Sequence, residues 1–203
     1  MTKIKAVISD LGRVLVDFDN WIFLRKMEEY SPFSANEMME RVRSDRSILH
    51  DFDRGNITPD QFYERALRLF KADVDNSVFF RIYNDIFSLN PGIVSILKGL
   101  RGTYRLVLLS NTDVMRYRFI MEAFPEVLFF DAYILSYQVG VIKPDPEIYR
   151  YALRAAEEKA EACVFIDDLE INCEAAERLG IRPLHMKPGT DLAAALREMN
   201  VCR

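Results

Sequence analysis

The sequence predicts an α/β protein: a parallel sheet of about five strands, helices on both faces, and an all-helical insert after the first strand. Three observations predict it. Five short apolar runs rich in β-branched and aromatic residues have the length and composition of strands. From Asn90 onward these runs alternate with helical patterns, as in a parallel sheet covered on both sides. Between about Asp17 and Leu89 there is no convincing strand, and two helix-start signatures occur.

The first run, residues 4–9, ends abruptly on Asp10, with Gly12 two residues later. A buried strand here would deliver Asp10 to the carboxyl edge of the sheet, where open α/β folds place their ligands. In the insert, Ser34-Ala35-Asn36-Glu37 and Thr58-Pro59-Asp60-Gln61 fit the capping box, in which each end satisfies the other's free amide. Phe62, Ala66, Leu67 and Phe70 then fall on one helical face. The many aromatic residues of the insert, Trp21 among them, suit the core of a small bundle; one or two rings roofing a site is the alternative. Asn90-Pro91 and Asp145-Pro146 each place a capping side chain before a proline at the first helical position. Strands are expected at 105–109, 131–135, 163–166 and 182–186, left-handed turns at Gly102 and Gly180, and an amphipathic helix at 191–199.

Composition narrows the class. The 203 residues suit one sizeable domain or a core with a smaller insert, and at 50% hydrophobic and 29% charged they are ordinary for a soluble globular protein. Lys and Arg number 27 against 31 Asp and Glu, a net charge of −4, with no basic patch, so nucleic acid is not an expected partner. No apolar run approaches the ~20 residues that span a bilayer. Residues 1–5 run straight into a strand without the apolar segment of a signal peptide, which makes the cytoplasm the expected location. Cys163, Cys173 and Cys202 are odd in number and form no CxxC, which argues against disulfides and zinc. Nothing here specifies an oligomeric state.

Four segments carry polar residues that would converge if the sheet is parallel. The first is Asp10. The second is Leu108-Leu109-Ser110-Asn111-Thr112, small hydroxyl and amide groups ahead of a helix, whose free N–H groups and dipole suit a phosphate. The third is Lys143 in the rigid Val141-Ile142-Lys143-Pro144-Asp145-Pro146 loop. The fourth is the carboxylate pair Asp167-Asp168 after Val164-Phe165-Ile166. Each has a plainer reading: Asp10 capping a turn, Ser110 and Asn111 capping a helix, Lys143 solvated, the aspartate pair opening a turn. Asn172 would brace the last loop, and His185 would be structural.

In this order the segments resemble the haloacid dehalogenase-like hydrolase superfamily, most of whose members are phosphatases. The likeness spans essentially the whole chain. It is nearest to a bacterial subgroup that includes an α-D-glucose-1-phosphate phosphatase. It implies a Rossmann-like catalytic core of residues 1–16 and 90–203 and a helical cap of residues 17–89. It also implies Mg²⁺-dependent hydrolysis of a small phosphorylated metabolite, a sugar 1-phosphate in first place, through an aspartyl-phosphate. Asp10 would be the nucleophile and a metal ligand. Ser110 and Asn111 would hydrogen-bond the phosphoryl oxygens. Lys143 would pair with phosphate and hold Asp10 ionised. Asp168 would coordinate Mg²⁺ with the Gly12 carbonyl, and Asp167 would be a further ligand or an outer partner.

Gly12 is the departure. Most family phosphatases carry there a second aspartate that transfers protons, a function typically worth ~10²–10⁴ in rate. Either the leaving group is activated, or Asp17, Asp19 or His50 takes over. Two other functions would use the same residues: a metal-independent 2-haloacid dehalogenase, and a catalytically impaired protein that binds phosphate ligands. Arg13, near the nucleophile, would either steer anions or point away.

Overall fold

The computed structural model describes residues 2–201; Cys202 lies outside the described residues. In chain order the strands are β1 (Ala6–Ser9), β2 (Val16–Phe18), β3 (Phe87–Leu89), β4 (Arg105–Ser110), β5 (Ala132–Leu135), β6 (Cys163–Asp167) and β7 (Arg182–His185). The helices are α1 (Asn20–Met27), α2 (Ala35–Ser44), α3 (Ser47–Asp53), α4 (Pro59–Phe70), α5 (Asn76–Asn84), α6 (Pro91–Lys98), α7 (Val114–Ala123), α8 (Ser136–Val139), α9 (Pro146–Ala156), α10 (Glu170–Glu177) and α11 (Leu192–Glu198).

Five strands form one parallel sheet in the order β5-β4-β1-β6-β7. Alternation along each strand sorts the core into two layers. Val7, Leu106, Leu108, Val164 and Ile166 pack with α6, α7 and α11 through Leu97, Ile120 and Leu196. Ala6, Ile8, Val107, Leu109 and Phe165 face α9 and α10 through Ile148, Ala152 and Ala176. Burial on both faces is why the central strands β1, β4 and β6 read as apolar runs. The chain leaves β1 for β4 on one side and later returns to β6 on the other. The switch point therefore lies at the carboxyl end of β1, immediately before Asp10.

The helix starts follow the sequence. Asn90 and Asp145 accept from the backbone amides of Ile93 and Glu147, and both capping boxes form. Phe62, Ala66 and Phe70 are buried and Leu67 packs beside them. The aromatic residues make the core of the insert: the Phe52 and Phe62 rings stack at 4.2 Å, and Phe23 meets Phe79 edge-on at 5.5 Å. Trp21 is half-buried against this core. Among the described residues no helix is long and apolar enough to cross a membrane.

One expectation is corrected. The sequence predicts an insert free of strands, yet its two ends pair as an antiparallel ribbon, with Val16 opposite Leu89 and Phe18 opposite Phe87. Three-residue strands are too short to display a period of two, so the local pattern could not reveal them. Their pairing joins residues separated in sequence by the whole helical bundle.

The insert also rests on the core away from the ribbon. The Tyr83 hydroxyl donates to Asp113 at 2.8 Å, and the Arg116 guanidinium donates to Asn20 at 3.1 Å. At the end of α3, the Asp53 carbonyl accepts from the Ser136 hydroxyl at 2.5 Å. Gly55, at φ 70°, lies so close to α8 that a Cβ there would stand 2.3 Å from the Tyr137 carbonyl oxygen. Only glycine tolerates both the conformation and the approach.

Candidate active site

The site forms where β1, β4 and β6 end. The Asp10 amide continues the sheet by donating to the Ile166 carbonyl at 2.9 Å, which fixes the backbone from which the carboxylate projects. One carboxylate oxygen, Oδ1, accepts the Leu11 amide at 2.7 Å and lies 2.8 Å from Lys143 Nζ. The same ammonium stands 2.6 Å from Asp167 Oδ2. Lys143 is buried and bridges two buried carboxylates.

Two clamps hold this bridge. Asn111 accepts the Lys143 amide at 2.7 Å through Oδ1 and donates to the Lys143 carbonyl at 3.0 Å through Nδ2. Asp167 Oδ1 accepts the Leu169 amide and Asn172 Nδ2, both at 2.9 Å, so Asn172 braces the loop as expected. Asn111, a residue expected on the phosphoryl oxygens, has both side-chain polar atoms on the Lys143 main chain, which leaves its backbone amide for a ligand. Ser110 stays with the site, buried at the end of β4.

Asp168 is half-buried at the rim, with Arg13 Nε 3.9 Å from its Oδ2 and His185 Nε2 2.9 Å from its carbonyl oxygen. Arg13 is exposed in a left-handed turn at φ 55°, its guanidinium 4.8 Å from the centre of the Phe18 ring. One oxygen each from Asp10, Asp167 and Asp168 fall within 4.8 Å of one another.

The electrostatics follow from burial. Desolvation pushes the Asp10 carboxyl up to about 7, opposed by Lys143 and reinforced by Asp167. Burial pulls the Lys143 ammonium down, but Asp10 and Asp167 more than offset it, and its pKa lies above the ordinary lysine value. Asp168 is raised by burial and by Asp167, against Lys143 and Arg13. One ammonium thus faces three carboxylates. An all-oxygen donor set with excess negative charge suits a hard divalent cation, which would draw the Asp10 pKa back down.

Gly12 lines a cavity of about 210 Å³ next to the cluster, shared with Ser110, Asn111, Phe18, Asn20, Asp53 and Arg116. A Cβ at position 12 would stand 3.1 Å from Phe18 Cε1. Of the substitutes weighed for the missing aspartate, Asp17 is exposed on β2 and opens onto a different cavity with Arg13 and Asp168. Asp19 caps α1 through the Trp21 amide at 2.9 Å and pairs with Arg25 at 3.3 Å. His50 is exposed on α3. Sequence reasoning passed over Asn20, Asp53 and Arg116. The signal available was Gly55, two residues after Asp53, whose close contact with α8 marks where the insert meets the core.

Fold and cluster together define an α/β protein with a carboxylate cluster at the switch point of its sheet. Residues 4–180 match the model of the haloacid dehalogenase-like hydrolases, and the chain belongs to that family. It is 24% identical over 198 residues to the D-ribitol-5-phosphate phosphatase of Bacteroides thetaiotaomicron, covering 93% of this chain and 94% of the relative. It is likewise 24% identical to a sesquiterpene phosphatase of Aspergillus oryzae, over 99% of both chains. A HAD family enzyme of Bacteroides thetaiotaomicron, crystallised with magnesium and inorganic phosphate, superposes with a TM-score of 0.82 at 26% identity. The superposition covers 96% of this chain and all of that one.

Proposed function

We propose that this chain is a Mg²⁺-dependent phosphatase that cleaves a small phosphate ester through an aspartyl-phosphate on Asp10. The observation that carries the reading is the Lys143 bridge between Asp10 and Asp167 inside a cluster of three carboxylates. Asp10, Asp168 and the Gly12 carbonyl would hold the cation. Asp167, whose oxygens already serve Lys143, Leu169 and Asn172, is its outer partner. Mg²⁺ supplies charge that offsets the repulsion between the Asp10 carboxylate and an anionic substrate.

Asp10 attacks phosphorus with the oxygen left free by Leu11 and Lys143, and the bond from phosphorus to the leaving oxygen breaks. Lys143 keeps Asp10 ionised and offers its ammonium to the phosphoryl group. The Ser110 hydroxyl and the Asn111 main-chain amide bind the other phosphoryl oxygens, while the Asn111 side chain keeps Lys143 in place. Water then hydrolyses the aspartyl-phosphate. Residues 17–89 act as the cap that closes over the substrate and sets its specificity.

A sugar or polyol phosphate is the substrate class, with a sugar 1-phosphate first to be tried. The relative named for ribitol 5-phosphate and the polar lining of Asn20, Asp53 and Arg116 support it. A metal-independent dehalogenase would use the same aspartate, but three carboxylates against one ammonium favour a cation. The test is a panel of phosphate esters with Mg²⁺, run beside Asp10→Asn. Mg²⁺-dependent release of phosphate that Asp10→Asn abolishes is expected. Chloride release from chloroacetate that persists in EDTA would overturn the reading.

A further inference from the structure

An aspartate that displaces an alkoxide leaves a strongly basic oxygen, and some group has to protonate it. Gly12 cannot, and the Phe18 ring crowds the space its side chain would enter. Asp19 is committed to Trp21 and Arg25, while Asp17 and His50 are exposed away from the cavity.

Asp53 differs in three ways. It lines the cavity of about 210 Å³ together with Gly12 and Ser110. Its main chain is tied to the loop after β4. The Ser136 hydroxyl lies 2.5 Å from the Asp53 carbonyl oxygen and accepts the Thr112 amide at 2.9 Å, two residues beyond Ser110. The tight seat of Gly55 against Tyr137 secures the same end of α3. Finally, among the described residues the Asp53 carboxyl makes no hydrogen bond or ion pair. A half-buried carboxyl that no hydrogen bond or ion pair engages, fastened to the loop that carries Ser110, is placed for a ligand rather than for the fold.

We propose that Asp53, from the cap, carries the proton that position 12 cannot. The inference rests on the phosphatase reading. As Asp10 attacks and the bond from phosphorus to the leaving oxygen breaks, the Asp53 carboxylic acid gives its proton to that oxygen, and the alcohol departs. The Asp53 carboxylate then takes a proton from water as the water oxygen bonds to phosphorus and the bond to Asp10 breaks. This step releases phosphate and restores both side chains.

The surroundings suit the role. Burial, helped by Asp113 and opposed by Arg116 and Arg54, holds the Asp53 carboxyl at about 7. The groups facing it are Asp113, which caps α7, Arg116 from α7, Tyr83 from α5 and its neighbour Arg54. A group near neutrality supplies both acid and base at working pH.

The test compares kcat/KM of wild type and Asp53→Asn, with Mg²⁺, on D-ribitol 5-phosphate and on 4-nitrophenyl phosphate, whose leaving group needs no proton. Since kcat/KM reports steps up to aspartyl-phosphate formation, the variant should lose roughly 10²–10³-fold on the alkyl phosphate and less than about five-fold on the aryl one. It should also show a burst of nitrophenolate followed by slow turnover, which doubles as proof that it folds. The wild-type pH profile on the alkyl phosphate should fall above about 7, and Asp53→Asn should flatten that limb. Equal losses on both substrates, no loss on either, or an unchanged pH profile would overturn the role of Asp53 while leaving the phosphatase reading intact. Wild type inert on both phosphates would overturn the two together.

Discussion

Core and cap are built by different means. In the core, Asp10, Ser110 and Asp167 sit at the ends of adjacent parallel strands, so the register of the sheet brings them together. In the cap, an aromatic bundle folds around itself and meets the core through a short ribbon and a few polar contacts. On the proposed function, attack on phosphorus is positioned by backbone topology, whereas selection of the leaving group is positioned by side chains docking across an interface. Damage to the first should abolish chemistry, and damage to the second should redirect it.

The largest expected effect lies in the core. Asp10→Asn should lower phosphatase activity by at least about 10⁴-fold with an unchanged circular dichroism spectrum, because the proposed covalent route needs Asp10 as its nucleophile. Lys143→Met should strike stability as well as rate, because it strands two buried carboxylates. Loss of one partner of a buried ion pair typically costs about 3–5 kcal/mol, and urea unfolding would measure it. Added Mg²⁺ should stabilise this variant more than wild type.

Changes in the cap should be gentler and selective. Gly55→Ala meets both a positive φ and a carbonyl 2.3 Å away, so the end of α3 must shift. A cost of about 1–3 kcal/mol is expected. The diagnostic readout is a change in the ratio of activities on alkyl and aryl phosphates with little change in phosphate inhibition. If Gly55→Ala instead weakened all substrates equally, the division of labour between core and cap would fail.

The smallest effect concerns pH. Asp53 is held at about 7 in the folded chain against 3.8 as its ordinary value. Between these values the folded state binds more protons than the unfolded state, so stability falls as pH rises. The contribution is present in full below about 4 and is gone once pH passes about 7. In thermal melts without divalent cation, Asp53→Asn should decline less steeply than wild type across that window. Asp10, raised to about 7 in the same way, keeps part of the slope in the variant.

What the sequence displays follows the same division. The central strands β1, β4 and β6 are legible because they are buried on both faces and carry near-continuous apolar runs, whereas the half-buried edge strands β5 and β7 are legible through their alternation with helical patterns. Asp10 and the pair Asp167-Asp168 were legible as carboxylates that end such runs. The Asn111 clamp on Lys143 was not, because an amide bonded to a backbone 32 positions away leaves no local pattern. Asp53 was hidden for the same reason. Its carbonyl meets Ser136, 83 positions along the chain, and only the folded cap creates that meeting. The β2–β3 ribbon pairs segments separated by the whole bundle.

That ribbon has a wider consequence. The chain departs for the bundle and comes home along neighbouring, hydrogen-bonded tracks, with the Asn90 amide donating to the Leu15 carbonyl at 2.9 Å. Any module whose termini lie one strand spacing apart, ~5 Å, can be grafted there without disturbing the connectivity of the sheet. A two-residue hairpin turn beyond Phe18 would close the same gap. The covalent path between core and insert therefore crosses one seam, and exchanging the insert there would replace the selector together with Asp53, so a transplanted insert has to bring its own proton donor and its own contacts to the loop after β4.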